Sequence, residues 1–149
     1  SLSLSFAMSS LIQFFTEEVD FTPEHEPQLL DWIVNAISSE GFDAGVINII
    51  FCNGEYLSEL NQRFLERDTL TDVIAFDYRE NARDVSGDIF ISIDRTAENA
   101  MKYGQSFEEE TRRVIIHGVL HLCGYSDKSP AEQSLMRSKE DYYLSLLPF

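Results

Sequence analysis

Leu30, Ile33, Val34 and Ile37 recur at the spacing of one helical face until Gly41 interrupts the run. Thr22-Pro23 ahead of them reads as a cap followed by proline at the first helical position, so an amphipathic helix is expected to open there. On either side the period changes. Leu11 to Phe15 reads as a short strand, and Val46 to Cys52, rich in β-branched residues, reads as a buried one. Leu57, Leu60 and Phe64 then share a face, which predicts a second helix from Glu55 to Glu66.

Thr71 to Tyr78 alternates, and Gly87 to Ile93 places Ile89, Ile91 and Ile93 on one side with Phe90 on the other. These predict two adjacent strands joined by the polar segment Arg79 to Ser86. A helix is expected from Arg95 to Tyr103, stopped by Gly104. Ser106-Phe107-Glu108-Glu109 reads as a capping box for a long helix running to Gly124, and Ser129-Pro130-Ala131-Glu132 as another. The last helix is expected to bury Leu135, Met136, Tyr142, Tyr143 and Leu146. The order of elements predicts an α+β domain, a small mixed sheet of about four strands packed with about five helices.

Composition fits one such domain: 149 residues, 44% of them hydrophobic, suffice for a single core. Residues 11–149 are assigned to one metallohydrolase domain, and the first ten, which show no cap or turn logic, to a vector-derived or frayed end. The apolar runs are far short of the roughly 20 residues that cross a bilayer. No Lys or Arg precedes Arg63, so a secretory signal is not expected and the protein is placed in the cytoplasm, without a membrane partner. Cys52 and Cys123 are too few for a disulfide framework and read as small buried residues.

The net charge of −15 argues against nucleic-acid binding through a broad basic surface, because phosphate contact relies on Lys and Arg. The charge is uneven, however. All eleven basic residues lie in 63–149 and none in 1–62, so any RNA is expected to meet the second part of the chain.

His117 and His121 stand four apart on the long helix, so their imidazoles project from one face and can converge on one ion. Alone, such a pair is as readily a packed or hydrogen-bonded couple. Gly124 lets the helix stop, and the turn through Tyr125, Ser126 and Asp127 can bring a carboxylate back beneath its end. Two histidines, one carboxylate and an open position form an established catalytic zinc set, which makes His117, His121 and Asp127 the candidate metal ligands for one zinc ion. The other reading of Asp127 is an exposed turn aspartate capping the next helix. Cys123, two residues from His121, should point elsewhere, and His25 reads as a surface residue.

The segment His117-Gly-Val-Leu-His121-Leu-Cys-Gly124-Tyr125-Ser-Asp127 resembles the H-G-x-L-H-L-x-G-Y-D-H signature of the YbeY family of ribosomal RNA endonucleases. Leu60-Asn61, Asp68 and Thr71-Asp72-Val73-Ile74-Ala75-Phe76 are similar to that family's L-N-x-x-Y-R-x-K-D-x-P-T-D-V-L-S-F stretch, and Gly87-Asp88-Ile89 to its G-D-I strand. The resemblance implies a zinc-dependent, single-strand-type endoribonuclease acting in ribosomal RNA maturation and quality control. Its implied partners are ribosomal RNA and the small ribosomal subunit, with no DNA expected. It also places Asn61, Asp68, Thr71 and Asp72 around the cleft, where turn chemistry explains the last three equally well.

Two departures matter. Asp127 stands where the family has its third histidine, which keeps a plausible zinc site but adds negative charge. Leu65 stands where the family has an arginine, and Arg63, Arg67 and Arg113 are the candidates to supply that charge to a phosphate. A protease of the H-E-x-x-H type is disfavoured because Gly118 occupies the position of its general base. Two rivals stay open: a ribosome-assembly or RNA-binding factor whose metal only braces the fold, and a metal-dependent hydrolase of another substrate.

Overall fold

The computed structural model describes residues 11–65 and 71–149; the first ten residues, Arg67 and Asp68 lie outside the described residues. Helix α1 spans Glu26–Ser39, so the start expected at Thr22-Pro23 is corrected. The proline in its first turn is Pro27, and His25 takes the N-cap position in a left-handed conformation. A helix begun at Pro23 would have put Pro27 one turn inside, where its missing N–H breaks an i to i−4 bond; starting later removes that cost.

Strand β1 covers Ile12–Thr16 and β2 Asp43–Cys52; α2 covers Gly54–Leu65, β3 Val73–Asp77 and β4 Asp84–Ser92. Helices α3 (Ile93–Tyr103), α4 (Phe107–Leu122) and α5 (Pro130–Ser145) follow. The strands lie in the order β1-β2-β4-β3, with β1 and β4 parallel to β2 and β3 antiparallel to β4. The expected α+β class and mixed sheet are therefore present, with four strands and five helices among the described residues. None of those helices is long and apolar enough to cross a membrane.

Alternation along the strands divides the core. Ile47, Ile49 and Phe51 of β2 and Ile89 and Ile91 of β4 are buried in one cluster with Leu29, Trp32 and Ile33 of α1 and Val114, Ile115, Val119 and Leu122 of α4. On the opposite sheet face Cys52, Leu57 and Ile74 form a smaller cluster with Phe76 and Phe90, covered by α2. The larger cluster fixes α4 across the sheet. Gly118 makes that approach possible: a Cβ there would lie 2.6 Å from Ile89 Cγ2.

The burial expected for α5 needs correction too. Met136 and Tyr143 are buried, but Leu135, Tyr142 and Leu146 are about half exposed. Met136, Glu140 and Tyr143 follow one another at helical spacing, so the narrow buried stripe of α5 includes a carboxylate and excludes its apolar neighbours.

Candidate metal centre

Helix α4 ends in a turn that delivers the third group. The Gly124 N–H donates to the His121 carbonyl at 3.0 Å and the Tyr125 N–H to the Leu120 carbonyl at 3.1 Å, while Gly124 itself takes φ +108°, a conformation L side chains rarely adopt. The chain doubles back beneath the helix, and Asp127 Oδ2 comes to 3.3 Å from His117 Nε2 and 3.4 Å from His121 Nε2. The two Nε2 atoms are 2.9 Å apart.

The other ring nitrogens decide what these atoms offer. His121 Nδ1 lies 2.9 Å from the Tyr125 carbonyl oxygen, which only accepts, so Nδ1 carries the proton. His117 Nδ1 lies 2.6 Å from Glu140 Oε2, a carboxylate within the buried stripe of α5, and carries its proton likewise. Both Nε2 lone pairs then face one another across 2.9 Å with a carboxylate oxygen beside them. Three electron-rich atoms so placed repel unless a cation or a proton sits among them. Tetrahedral zinc ligands at about 2.0–2.1 Å lie about 3.3–3.4 Å from one another. The two separations to Asp127, 3.3 and 3.4 Å, match that triangle and the Nε2–Nε2 side, at 2.9 Å, is shorter than it, and the group is the one potential metal cluster of three among the described residues.

Electrostatics follow the same arrangement. Burial opposes charge on His117, but hydrogen bonding to Glu140 and the charges of Glu140, Asp127 and Asp72 outweigh it and raise its pKa. Burial and the neighbouring His117 lower that of His121. Burial pushes both cysteine thiols up to about 12, and Cys123, buried beneath the helix end, takes no part in the cluster.

The site opens on two adjoining depressions of 410 and 940 Å³ that share His117, Asp127, Asp72, Val73 and Gln133. The larger also holds Asn61, Tyr125 and Lys128, and the smaller Asn99, Glu110, Arg113 and Arg137. Asn61 is buried at the cavity wall, and Asp72 accepts a hydrogen bond from Asn99 Nδ2 at 3.0 Å. Arg113 reaches the site, but its guanidinium donates to Glu140 Oε1 at 2.9 Å and to Asp141 Oδ1 at 2.7 Å. Arg63 is exposed near the end of α2, its guanidinium over the Phe64 ring, and does not line either depression. His25 is exposed and stacks on Phe149.

Several contributors were not singled out in the sequence. Glu140 holds His117. Glu110 is buried at the wall of the smaller depression, where burial and the Asp72 charge raise its pKa. Glu40, at the end of α1, accepts from the Tyr125 and Tyr143 hydroxyls and pairs with Lys139 at 3.1 Å, which ties the ligand-bearing turn to α1 and α5. Arg79 donates to the carbonyl of Leu122 and lies 5.0 Å over the Phe42 ring, placing a cation at the C-terminal end of α4.

A family model described as endoribonuclease YbeY matches residues 11–147. The chain is similar to the endoribonuclease YbeY of Flavobacterium psychrophilum, with 52% identity over 132 residues covering 89% of this chain and 94% of that protein. It is likewise similar to the endoribonuclease YbeY of Bacteroides thetaiotaomicron, with 40% identity across 91% of this chain and 98% of the relative. Among solved structures, TM1509 from Thermotoga maritima superimposes with a TM-score of 0.62 at 28% identity, covering 90% of this chain and 87% of that one.

Proposed function

This chain belongs to the endoribonuclease YbeY family, metal-dependent enzymes of ribosomal RNA maturation, and from that premise we propose that His117, His121 and Asp127 hold one zinc ion for RNA cleavage. The observation that carries the reading is the pair of Nε2 lone pairs aimed at each other beside Asp127 Oδ2, both Nδ1 atoms being engaged elsewhere. Imidazole donors with one carboxylate suit zinc, and three protein ligands leave a position open for chemistry. Bound there, the ion supplies a Lewis acid for a phosphoryl oxygen and an acidified water.

The chain's own residues supply the rest. Arg137 and Lys128, on the walls of the two depressions, are placed to meet backbone phosphates entering from either side. Asn61 and Asp72 offer hydrogen-bonding groups to ribose or base between them, and Arg63, exposed near the end of α2, extends the cationic approach beyond the cavity. Two adjoining depressions with a cation on the wall of each suit a polymer strand better than a small molecule, and with the family's role in ribosomal RNA maturation we take cytoplasmic ribosomal RNA of the small subunit as the substrate.

Incubation of a ribosomal RNA fragment with purified protein, with and without chelator, tests the activity. Cleavage in single-stranded segments that chelator stops and zinc restores is expected; undiminished cleavage by metal-stripped protein would overturn the proposal. The ligand set has its own test, since Asp127→Ala is expected to lower zinc occupancy and Asp127→His to keep it.

Acid competes with the ion at the same atoms. Because the pKa of His117 lies above its ordinary 6.5, its proton must leave before Nε2 can bind, and zinc affinity should fall about tenfold per pH unit below that raised value. Zinc competition with a chelator across neutral pH measures this. A pH-independent affinity, with the chelator's own protonation subtracted, would remove His117 from the ligand set.

A further inference from the structure

Glu140 sits 23 residues from His117 in sequence, on another helix, with its side chain almost wholly enclosed. One carboxylate oxygen faces His117 Nδ1 at 2.6 Å and the other faces Arg113 Nη1 at 2.9 Å. Arg113 is held in turn by Asp141 at 2.7 Å and is itself largely buried. We propose that Glu140 is a positioning residue that keeps the proton of His117 on Nδ1, so that Nε2 faces the metal position as a lone pair, and that Arg113 serves to hold Glu140. The proposal rests on the metal-site reading above.

A carboxylate does here what an amide cannot. Glu140 lies between two donors, His117 Nδ1–H and the Arg113 guanidinium, and a carboxylate accepts from both. A glutamine of the same shape has one accepting end and one donating end. With its oxygen toward His117, its NH2 opposes the guanidinium donor. With its oxygen toward Arg113 it keeps the charge-assisted bond, and its NH2 then requires a bare Nδ1 on His117. The proton of His117 moves to Nε2, where it can donate to His121 Nε2 across the existing 2.9 Å. In that second arrangement both ends of the glutamine amide have partners, and the metal position is closed by a hydrogen bond. The isosteric change therefore acts on the imidazole tautomer with little change in packing.

Arg113 is what selects the damaging arrangement, so removing it should relieve the damage. In Arg113→Met the carboxylate still accepts from His117, and Nδ1 keeps its proton. In Arg113→Met/Glu140→Gln nothing opposes the amide NH2, its oxygen can turn to His117, and Nε2 is again available. A purely structural ion pair also predicts relief in the double variant, because the buried guanidinium is no longer left without its carboxylate, so the tautomer of His117 in Glu140→Gln, which a structural role would not move, is the deciding readout.

The experiment uses the four full-length proteins, wild type, Arg113→Met, Glu140→Gln and the double variant, with thermal unfolding recorded to establish that each is folded. Zinc affinity is measured by competition with a chromophoric chelator, and the protonation of His117 Nδ1 is read from its 15N chemical shift in the metal-free protein. Glu140→Gln is expected to bind zinc about 10- to 100-fold more weakly than wild type and to show a bare Nδ1. The double variant should recover most of that loss and regain the Nδ1 proton. The proposal is overturned if Glu140→Gln binds zinc as wild type does, if its Nδ1 stays protonated, or if the second substitution deepens the loss. A wild type with protonated Nδ1 that binds no zinc would instead defeat the metal-site reading, since the shift is read without metal. Should Glu140→Gln fail to fold, the Nδ1 signal and zinc affinity of Arg113→Met decide: a bare Nδ1 or a lost site there contradicts the assignment of the proton to Glu140 alone.

Discussion

His121→Ala is expected to bind zinc more than about 100-fold more weakly than wild type, because the loss of a direct ligand exceeds the 10- to 100-fold typical of an outer partner. RNA cleavage should fall to the level of chelated wild type. The remaining donors would be one imidazole and the carboxylate of Asp127, whose side chain is 41% exposed. The fold should survive the change. His121 borders the cavity, and its truncation removes one hydrogen bond, to the Tyr125 carbonyl, worth about 0.5–1.5 kcal/mol. Elemental analysis, cleavage assays and unfolding of the same preparation separate these effects. His25→Ala, at an exposed residue stacked on Phe149, serves as the control that leaves zinc and cleavage unchanged. A folded His121→Ala protein with full zinc content would show that the ion sits elsewhere.

The histidine pair was legible because a helix repeats its faces every three or four residues, and Asp127 because Gly124 announces where that helix must turn. The strands β2 and β4 were legible for the same kind of reason, a local period joined to local propensity. Glu140 was not legible. It is one acid on a helix with Asp141 beside it, and its partners stand 23 and 27 residues away, so nothing local separates it from a solvated charge. The same long-range pairing explains the misjudged face of α5: the helix spends part of its buried stripe on a carboxylate that Arg113 and His117 require, and Leu135, Tyr142 and Leu146 are left outside. Arg113 was recognised as a charge near the site, but its commitment to Glu140 and Asp141 depends on the packing of α4 against α5. At the start of α1 two prolines offered competing first turns, and only the later one leaves the helical bonds intact.

Gly118 lies between the two histidines, and its replacement by alanine sets two effects of opposite sign against each other. In a helix interior alanine is favoured over glycine by about 0.5–1 kcal/mol. Here the new methyl would arrive 2.6 Å from Ile89 Cγ2 and 3.3 Å from its Cδ1. Ile89 is wholly buried, and in β4 it is registered against Ile49 of β2 and Ala75 of β3. A β-branched side chain so enclosed has little rotamer freedom with which to retreat. Overpacking of this kind costs about 1–3 kcal/mol, so the clash outweighs the helical gain and Gly118→Ala is expected to lower stability by about 1–2 kcal/mol. Lifting α4 from the sheet would also displace both Nε2 atoms relative to Glu140, so zinc affinity should fall with stability. Urea unfolding measures the first and chelator competition the second. The cause can be isolated in the Ile89→Ala background, where Cγ2 is gone: there the same Gly118→Ala change should be neutral or stabilising. A Gly118→Ala protein with a higher urea midpoint than wild type, or one whose loss is the same in both backgrounds, would rule out the contact with Ile89 as the reason for glycine between the two histidines.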